Sequence, residues 1–257
     1  MNAYFFNAAA VIELIKQAGS AVMDIYRQDF AVYEKEDASP VTEADMSAEK
    51  IIFDGLKKLT PDIPVVGEEH MAAGEPADLT QRYFWLVDPV DGTADFVKKN
   101  GEFTVNIALI ENETPVFGAV YVPVTETVYY TAAPGRACME KDDITAELKT
   151  RDVPDQGYTV LNSRTHCNET IVSKMLEGLK IAERRRCGSS LKFCLIAAGQ
   201  ADVYPCCHQT KEWDTAAAHA VLTAAGGEVY NAENNTVLTY RKPGLVNPRI
   251  ISFGQKR

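Results

Sequence analysis

The chain has 257 residues, of which 46% are apolar, so it can bury a substantial core as one large domain or as two closely packed lobes. Its 36 acidic and 26 basic residues give a formal net charge of -10, which argues against binding to a nucleic-acid polymer, because like charges repel. No apolar run approaches the length of a bilayer span, which argues against a transmembrane segment.

The cysteines and the start of the chain bear on its compartment. No two of the six cysteines form a C-x-x-C pair, and none has the zinc-binding spacing with histidine. The first residues lack the basic segment of a signal peptide. We therefore expect free thiols in a reducing cytoplasm. The sequence leaves open the oligomeric state and a loose attachment to the inner face of a membrane.

Two helices are predicted at the beginning of the chain. The first has an apolar stripe at alternating steps of four and three, formed by Val11, Ile15, Ala18, Val22 and Ile25. The second begins after Thr42, and the spacing of Thr42 and Asp45 fits a capping box. That box alone is enough to explain Asp45 structurally.

Apolar strands follow these helices. A short strand at 63–66 leads directly into Gly67, Glu68 and Glu69, where a sheet delivers functional groups. Paired glutamates on a loop are usually solvated, and we adopt that interpretation for Glu69. Further strands are predicted at 83–87, 103–110, 115–122 and 127–132, the second and third joined as a hairpin, and 135–151 is read as strand and loop. The first lobe is expected to be α+β and to span residues 1–153.

The second lobe, residues 154–257, is expected to alternate strands and helices as an α/β unit packed closely on the first. Strands are predicted at 158–162 and 201–204, and helices at 168–179, 191–198 and 213–225. The arginines at 184–186 are interpreted as a solvated edge that precedes a helix N-terminus.

The segment from Asp88 to Thr93 carries the strongest chemical signal. Pro89 keeps the chain out of a helix, Gly92 permits a sharp turn, and a helix follows from Thr93. Carboxylates hold hard cations and the amides of a helix N-terminus hold phosphate, so we predict a metal-dependent phosphate site. The alternative is that Asp91 or Thr93 simply caps a helix. The acidic spacing of an EF-hand is not met.

This segment, Asp88-Pro-Val-Asp-Gly-Thr93, resembles the signature of the inositol monophosphatase superfamily, which contains Mg²⁺-dependent, lithium-sensitive phosphomonoesterases. The resemblance continues through 40–45, 67–69 and 213–217. Residues 98–109 and 188–194 resemble one branch, the bacterial 3'(2'),5'-bisphosphate nucleotidases. The chain departs from that branch at Ala94-Asp95, where the branch usually has Lys-Glu, and so it loses a positive charge beside the phosphate site.

The resemblance implies an α/β fold, a layered αβαβα sandwich, and a two-ion site for Mg²⁺, with Mn²⁺ as an alternative. The implied metal ligands are Glu68, Asp88, Asp91, Asp214 and the carbonyl of Val90. For Asp214, spacing alone does not decide between a ligand and a charge on a helix dipole. Because so many carboxylates repel one another, we expect Mg²⁺ to raise the melting temperature.

The resemblance also implies the catalytic and substrate-binding residues. Thr93, with Asp45 behind it, would orient the attacking water, and Glu68 completes the catalytic set. The implied substrate-binding residues are Glu68, Val90, Asp91, Gly92, Thr93, Gly188, Ser189, Ser190, Lys192 and Asp214. Arg164 and His166 are further candidates, although a histidine of this kind is more often a surface or core residue.

The function that the resemblance implies is hydrolysis of a small phosphorylated nucleotide. The expected reaction converts adenosine 3',5'-bisphosphate to AMP and phosphate, and PAPS to APS and phosphate, and it clears a by-product of sulfate assimilation. One alternative is an inositol or sugar monophosphatase of the same superfamily. A more distant alternative is an acidic metal-binding module without enzymatic activity.

Overall fold

A computed structural model of the protein describes residues 4–34, 40–75, 78–164 and 168–256. Its helices are α1 (Ala8–Tyr26), α2 (Glu43–Leu59), α3 (Glu68–Ala72), α4 (Thr93–Val97), α5 (Glu169–Met175), α6 (Leu191–Ala197) and α7 (Trp213–Ala224). In the part of the chain described, none of these helices is both long enough and apolar enough to cross a lipid bilayer.

The strands belong to two large sheets and one short hairpin. They are β1 (Val32–Glu34), β2 (Pro40–Thr42), β3 (Val65–Gly67), β4 (Tyr83–Asp91), β5 (Thr104–Glu111), β6 (Thr114–Val122), β7 (Thr127–Ala133), β8 (Arg136–Lys141), β9 (Ile144–Leu148), β10 (Tyr158–Ser163), β11 (Ile181–Cys187), β12 (Val203–Cys206), β13 (Glu228–Asn231) and β14 (Ile250–Phe253).

The elements stack in five layers. Within the described ranges, the larger sheet has seven strands in the order β3-β4-β5-β6-β7-β8-β9, and the smaller has five in the order β11-β10-β12-β14-β13. Helices α1 and α2 pack on one face of the larger sheet, α6 and α7 lie between the sheets, and α5 packs on the outer face of the smaller sheet. This is the αβαβα order that was predicted.

The larger sheet is covered on both faces, and the side chains of β4 alternate between two cores. Phe84 and Leu86 belong to the core that contains α7, whereas Trp85 and Val87 pack with α1 and α2. Since neither face meets water, the strand reads in the sequence as a continuous apolar run rather than as alternating polar and apolar residues.

The two N-terminal helices confirm the sequence prediction. The stripe positions Val11, Ile15, Ala18 and Val22 are all buried in α1. At the start of α2, the Thr42 side chain accepts from the Ala44 amide, and the Asp45 carboxylate accepts from the Thr42 amide at 2.8 Å. The predicted capping box is therefore present, and it fixes the orientation of the Asp45 side chain.

Several elements differ from the prediction. The arginines at 184–186 are exposed, as predicted, but they lie in the edge strand β11, which was not predicted because exposure on both sides leaves no apolar alternation. The segment 135–151 forms the hairpin of β8 and β9. Strands β13 and β14 were not predicted, because four-residue segments are too short for a periodic signal. Helix α5 is shorter than the predicted 168–179.

The segment between Leu148 and Tyr158 connects the larger sheet to the smaller one. The predicted boundary between residues 153 and 154 falls within it. The core around α6 and α7 includes residues of both sheets, such as Leu86 and Ile250. The division of the chain into two lobes at this point stays a prediction.

Gly118 of β6 allows α7 to lie directly against the larger sheet. A Cβ atom at this position would lie 2.0 Å from the carbonyl oxygen of Ala217. We expect Gly118→Ala to force α7 away from the sheet and to lower the free energy of unfolding by about 1–3 kcal/mol. Urea unfolding measures this change. The control is Thr114→Ala on an exposed position of the same strand, which should change stability by less than about 0.5 kcal/mol. Equal stabilities of the two variants would contradict the close packing.

Candidate active site

A cavity of about 430 Å³ opens where the ends of elements from both sheets meet. Most of the predicted site residues line it, namely Glu68, Asp88, Val90, Asp91, Gly92, Thr93, Ser189, Ser190, Lys192 and Asp214. Of the other two, Asp45 contacts the Thr93 side chain at 3.4 Å, and the amide of Gly188 donates to Glu102 at 2.7 Å. The structure thus brings together residues that are far apart in the sequence.

The smaller sheet contributes the ends of its parallel strands. Strand β10 runs parallel to both β11 and β12, so their carboxyl ends lie at the same edge. Ser163 at the end of β10 and Cys206 at the end of β12 line the cavity, as does Ser189 just after β11. Ligands of α/β proteins commonly bind at this edge of a parallel sheet, because the loops there meet around a crevice.

Three carboxylates converge on one point of the cavity. Glu68 begins α3, Asp88 lies in β4, and Asp214 lies in the first turn of α7. One oxygen atom from each lies within 4.8 Å of the others. The donors are all oxygen atoms, which suits Mg²⁺ or Mn²⁺ better than zinc. Residues of α3, β4 and α7 could therefore hold one divalent cation together.

An irregularity in β4 brings Asp88 and Asp91 to the same cavity. In a regular strand, residues three apart point to opposite faces. Here Asp88 pairs with Asn106 and Asp91 pairs with Thr104, so β4 contains one residue more than β5 between these pairs. Such a bulge reverses the alternation beyond it. Pro89 lies within it, where no ladder hydrogen bond is needed from its nitrogen. The strand therefore continues to Asp91, further than the predicted 83–87.

Gly92 follows the bulge and begins the turn into α4. Its φ is +91°, in the region that favours glycine, and a Cβ atom would lie 3.2 Å from the Glu102 carbonyl oxygen. The turn therefore requires glycine. It connects Asp91, the last residue of β4, to Thr93, the first residue of α4. Helix α4 begins at Thr93 as predicted, although it ends at Val97.

Asp91 is held by the loop that precedes α6. The amide of Ser190 donates to the Asp91 carboxylate, and the Thr104 hydroxyl lies 3.4 Å from the same oxygen. The Ser190 hydroxyl is 2.8 Å from both Thr104 and Asn106. Burial raises the pKa of Asp91 from 3.8 to about 6, against the opposing effects of Lys192 and the Ser190 amide.

Asp214 is fixed by its own turn and perturbed by its neighbours. The Lys211 amide donates to it at 2.8 Å, as at the start of many helices. Burial and the nearby charges of Asp91 and Glu68 raise the pKa of Asp214 well above its ordinary value. The helix-dipole interpretation and the ligand interpretation are therefore compatible, since one oxygen serves the turn and the carboxyl group lines the cavity.

Thr93 and Asp45 form a pair at the edge of the cavity. The Thr93 hydroxyl lies 3.4 Å from one Asp45 oxygen and 3.1 Å from the Val90 carbonyl oxygen. The other Asp45 oxygen accepts from the amide and the hydroxyl of Thr42, each at 2.8 Å. The structural and the functional interpretations of Asp45 thus use different oxygens, and the capping box aims the second oxygen at Thr93.

The loop before α6 is stabilised from within. The buried Lys192 ammonium donates to the carbonyl oxygens of Ser189 at 2.6 Å and Cys187 at 3.3 Å, and it lies 4.8 Å from the centre of the Tyr204 ring. The Gly188 amide donates to Glu102 at 2.7 Å. The predicted substrate contacts of Lys192 and Gly188 stay predictions, and in this structure both residues hold the loop in place.

Glu102 is a residue that the sequence did not single out. Its carboxylate accepts a hydrogen bond from the Gly188 amide at 2.7 Å. It also accepts from Arg164, from Nε at 2.8 Å and from a terminal nitrogen at 2.5 Å. Only the folded chain brings these segments together, so no local pattern indicates the contact. Arg164 thereby pairs with Glu102, and His166 lies outside the described residues.

Comparison with known proteins confirms the resemblance seen in the motifs. The model of the inositol monophosphatase family matches residues 6–252. The 3'(2'),5'-bisphosphate nucleotidase CysQ of Salmonella typhimurium is 44% identical over 240 residues, which is 93% of this chain and 96% of that protein. The protein of the same name from Escherichia coli K12 is 43% identical over the same shares of both chains.

Solved structures confirm the predicted layered fold. The crystal structure of CysQ from Bacteroides thetaiotaomicron superimposes with a TM-score of 0.83 at 35% identity, and 99% of each chain is covered. The inositol monophosphatase from Anabaena shares the fold with a TM-score of 0.73 at 21% identity, covering 96% of this chain and 90% of that one.

The raised carboxyl pKa values predict how stability depends on pH when divalent metal is absent. Burial raises the pKa of Asp91 to about 6, and it raises the pKa of Glu49, a buried residue of α2, to about 7. The folded state therefore binds protons that the unfolded state releases. The metal-free protein should therefore lose stability as the pH rises from about 4 to about 7. Thermal unfolding in EDTA across this range measures the effect.

Saturating Mg²⁺ should raise the melting temperature most at the upper end of that range, where the carboxylates are charged. Asp91→Asn should reduce both the pH dependence and the response to Mg²⁺. The control is Asp62→Asn at an exposed position, which should behave as wild type. A wild-type melting temperature that does not respond to Mg²⁺ would be inconsistent with a metal site.

Proposed function

The chain belongs to the inositol monophosphatase family, and from this premise we propose that it is a Mg²⁺-dependent phosphomonoesterase acting on 3'(2'),5'-bisphosphate nucleotides. The observation that carries the proposal is the convergence of the Glu68, Asp88 and Asp214 oxygens within 4.8 Å. Relatives named for this nucleotidase activity, similar to the chain over nearly its whole length, support the choice of substrate class.

We assign the metal ligands to Glu68, Asp88, Asp91 and Asp214, with the carbonyl of Val90. The all-oxygen donor set supports this assignment, as do the pKa values of Asp91 and Asp214, which burial and then the neighbouring carboxylates raise, because bound cations would offset both effects. Two bound Mg²⁺ or Mn²⁺ ions would supply Lewis-acid activation of water and stabilisation of the charge on the phosphoryl and leaving oxygens.

The Thr93 and Asp45 pair would orient the water that attacks phosphorus. The Thr93 hydroxyl accepts from this water and donates to Asp45, 3.4 Å away, so the water proton moves toward the carboxylate. A bond forms between the water oxygen and phosphorus as the ester bond breaks, and the leaving ribose oxygen then takes a proton from solvent. The amides of Gly92 and Thr93 are assigned to the phosphoryl oxygens.

The proposed substrate is adenosine 3',5'-bisphosphate, with AMP and phosphate as products, and PAPS is a second candidate substrate. The loop from Gly188 to Ser190 and Lys192 would bind the ribose or the second phosphate. Lys192 supports this role, because its buried charge lies beside the cavity and offsets part of the negative field there. Ala94 stands where the nucleotidase branch usually has lysine, and Lys192 would supply part of the electrostatic attraction to the substrate.

We place the protein in the cytoplasm and link its reaction to sulfate assimilation, where it would clear a nucleotide by-product. The thiols support a reducing compartment, because Cys138, Cys187, Cys194 and Cys206 are buried free cysteines.

A phosphate-release assay tests the substrate class. We expect adenosine 3',5'-bisphosphate to be hydrolysed in Mg²⁺ faster than inositol 1-phosphate, and Li⁺ to inhibit the reaction. Asp91→Asn should lower the rate by more than about 100-fold, since a ligand is lost. Preference for the inositol phosphate would indicate a monophosphatase of the same family. Metal binding without any phosphate release would indicate a binding module and contradict the proposal.

Replacing Thr93 tests the role of its hydroxyl. Thr93→Val has nearly the same shape but cannot relay a proton, so kcat should fall by about 10²–10⁴-fold while Mg²⁺ affinity changes little. Thr93→Ser keeps the hydroxyl and should retain most of the activity. Steady-state rates at saturating Mg²⁺ measure both. A Thr93→Val enzyme as active as Thr93→Ser would remove Thr93 from the proposed mechanism.

A further inference from the structure

Helix α3 begins with the proposed ligand Glu68, and its first amides are capped from another helix. Gly67 occupies the N-cap position, where glycine has no side chain that can accept a hydrogen bond. The Glu49 carboxylate of α2 accepts instead, from the Glu69 amide at 2.9 Å and from the His70 amide at 2.8 Å. One buried side chain therefore satisfies two of the amides that every helix leaves unpaired at its start.

We propose that Glu49 is a positioning residue for Glu68, which sets metal affinity by fixing the first turn of α3 at the cavity. The inference rests on the proposed metal site, because Glu68 acts on a metal ion only if that site exists. Glu49 touches neither the cavity nor the reacting atoms, and it is 6% exposed. Its effect on Glu68 passes through the backbone of the two following residues.

The packing around Gly67 shows that this contact is built tightly. A Cβ atom at Gly67 would lie 2.2 Å from a Glu49 carboxylate oxygen and 2.7 Å from the Phe53 ring. The φ of Gly67 is −123°, which any residue can adopt, so glycine is needed here for space alone. The rings of Phe53 and His70 lie 5.0 Å apart and hold α3 on α2 from the next turn.

Glu49 lies on the same helix as Asp45, the residue that contacts Thr93. Residues four apart lie on one face of a helix, so Asp45 and Glu49 project from α2 on the same side. Asp45 reaches Thr93 and Glu49 reaches the start of α3. The same helix therefore contacts the Thr93 hydroxyl through Asp45 and the start of α3 through Glu49.

The test variant is Glu49→Gln, which keeps the size of the side chain but presents an NH₂ donor to one of the two amide donors. Its matched control is Glu43→Gln, at an exposed position of the same helix. Calorimetric titration with Mg²⁺ gives the Kd, thermal unfolding in EDTA gives the stability, and rates at saturating Mg²⁺ give kcat. We expect the Kd for Mg²⁺ to rise by about 10-fold in Glu49→Gln, with kcat at saturation within about twofold of wild type.

The outcomes separate this inference from the proposed function. Failure of the wild-type protein to bind Mg²⁺ overturns the metal site and this inference with it. Wild-type binding with an unchanged Kd in Glu49→Gln, even at a lower melting temperature, leaves the metal site intact and overturns the positioning role. Where circular dichroism shows that Glu49→Gln is unfolded, Gly67→Ala, which displaces the same carboxylate, should raise the Kd, and an unchanged value overturns the inference.

Discussion

The mutual repulsion of the carboxylates at the cavity is the constraint on which the rest of the structure depends. Four acidic side chains line this cavity and three of them converge within 4.8 Å, so the elements that carry them must be held firmly against their repulsion. Asp88 and Asp91 lie on a strand covered on both faces, Glu68 on a helix capped by α2, and Asp214 on the helix between the sheets. The folding energy of the cores thus maintains a charge arrangement that is unfavourable by itself.

The bulge in β4 places Asp88 and Asp91 on the same side of the sheet, where both line the cavity. A regular strand would send Asp88 and Asp91 to opposite sides of the sheet, one of them into an apolar core, where an isolated charge is costly. The additional residue and the turn at Gly92 bring both carboxylates and Thr93 to the cavity within six residues. A short irregularity in an otherwise regular sheet therefore determines where the proposed chemistry takes place.

Features that depend on local sequence could be predicted, and features that depend on contacts between distant segments could not. The stripe of α1 and the capping box of α2 follow from spacing, and the layered fold and the cavity residues followed from the family motifs. Glu49 and Glu102 bind amides at Glu69 and Gly188, and only the tertiary structure brings these partners within reach. Strand β11 was missed because an exposed edge carries no alternation, and the bulge because periodicity assumes regular strands.

The helix α7 lies between the two sheets and brings Asp214 to residues encoded much earlier in the chain. Glu68, Asp88 and Asp91 precede α7 in the chain, so they are synthesised before Asp214, which lines the cavity with them only after α7 has docked. A polypeptide that ends before α7 would therefore lack one of the four carboxylates of the proposed cation site. The position of one helix in the order of translation thus delays the assembly of the full centre until most of the polypeptide has been made.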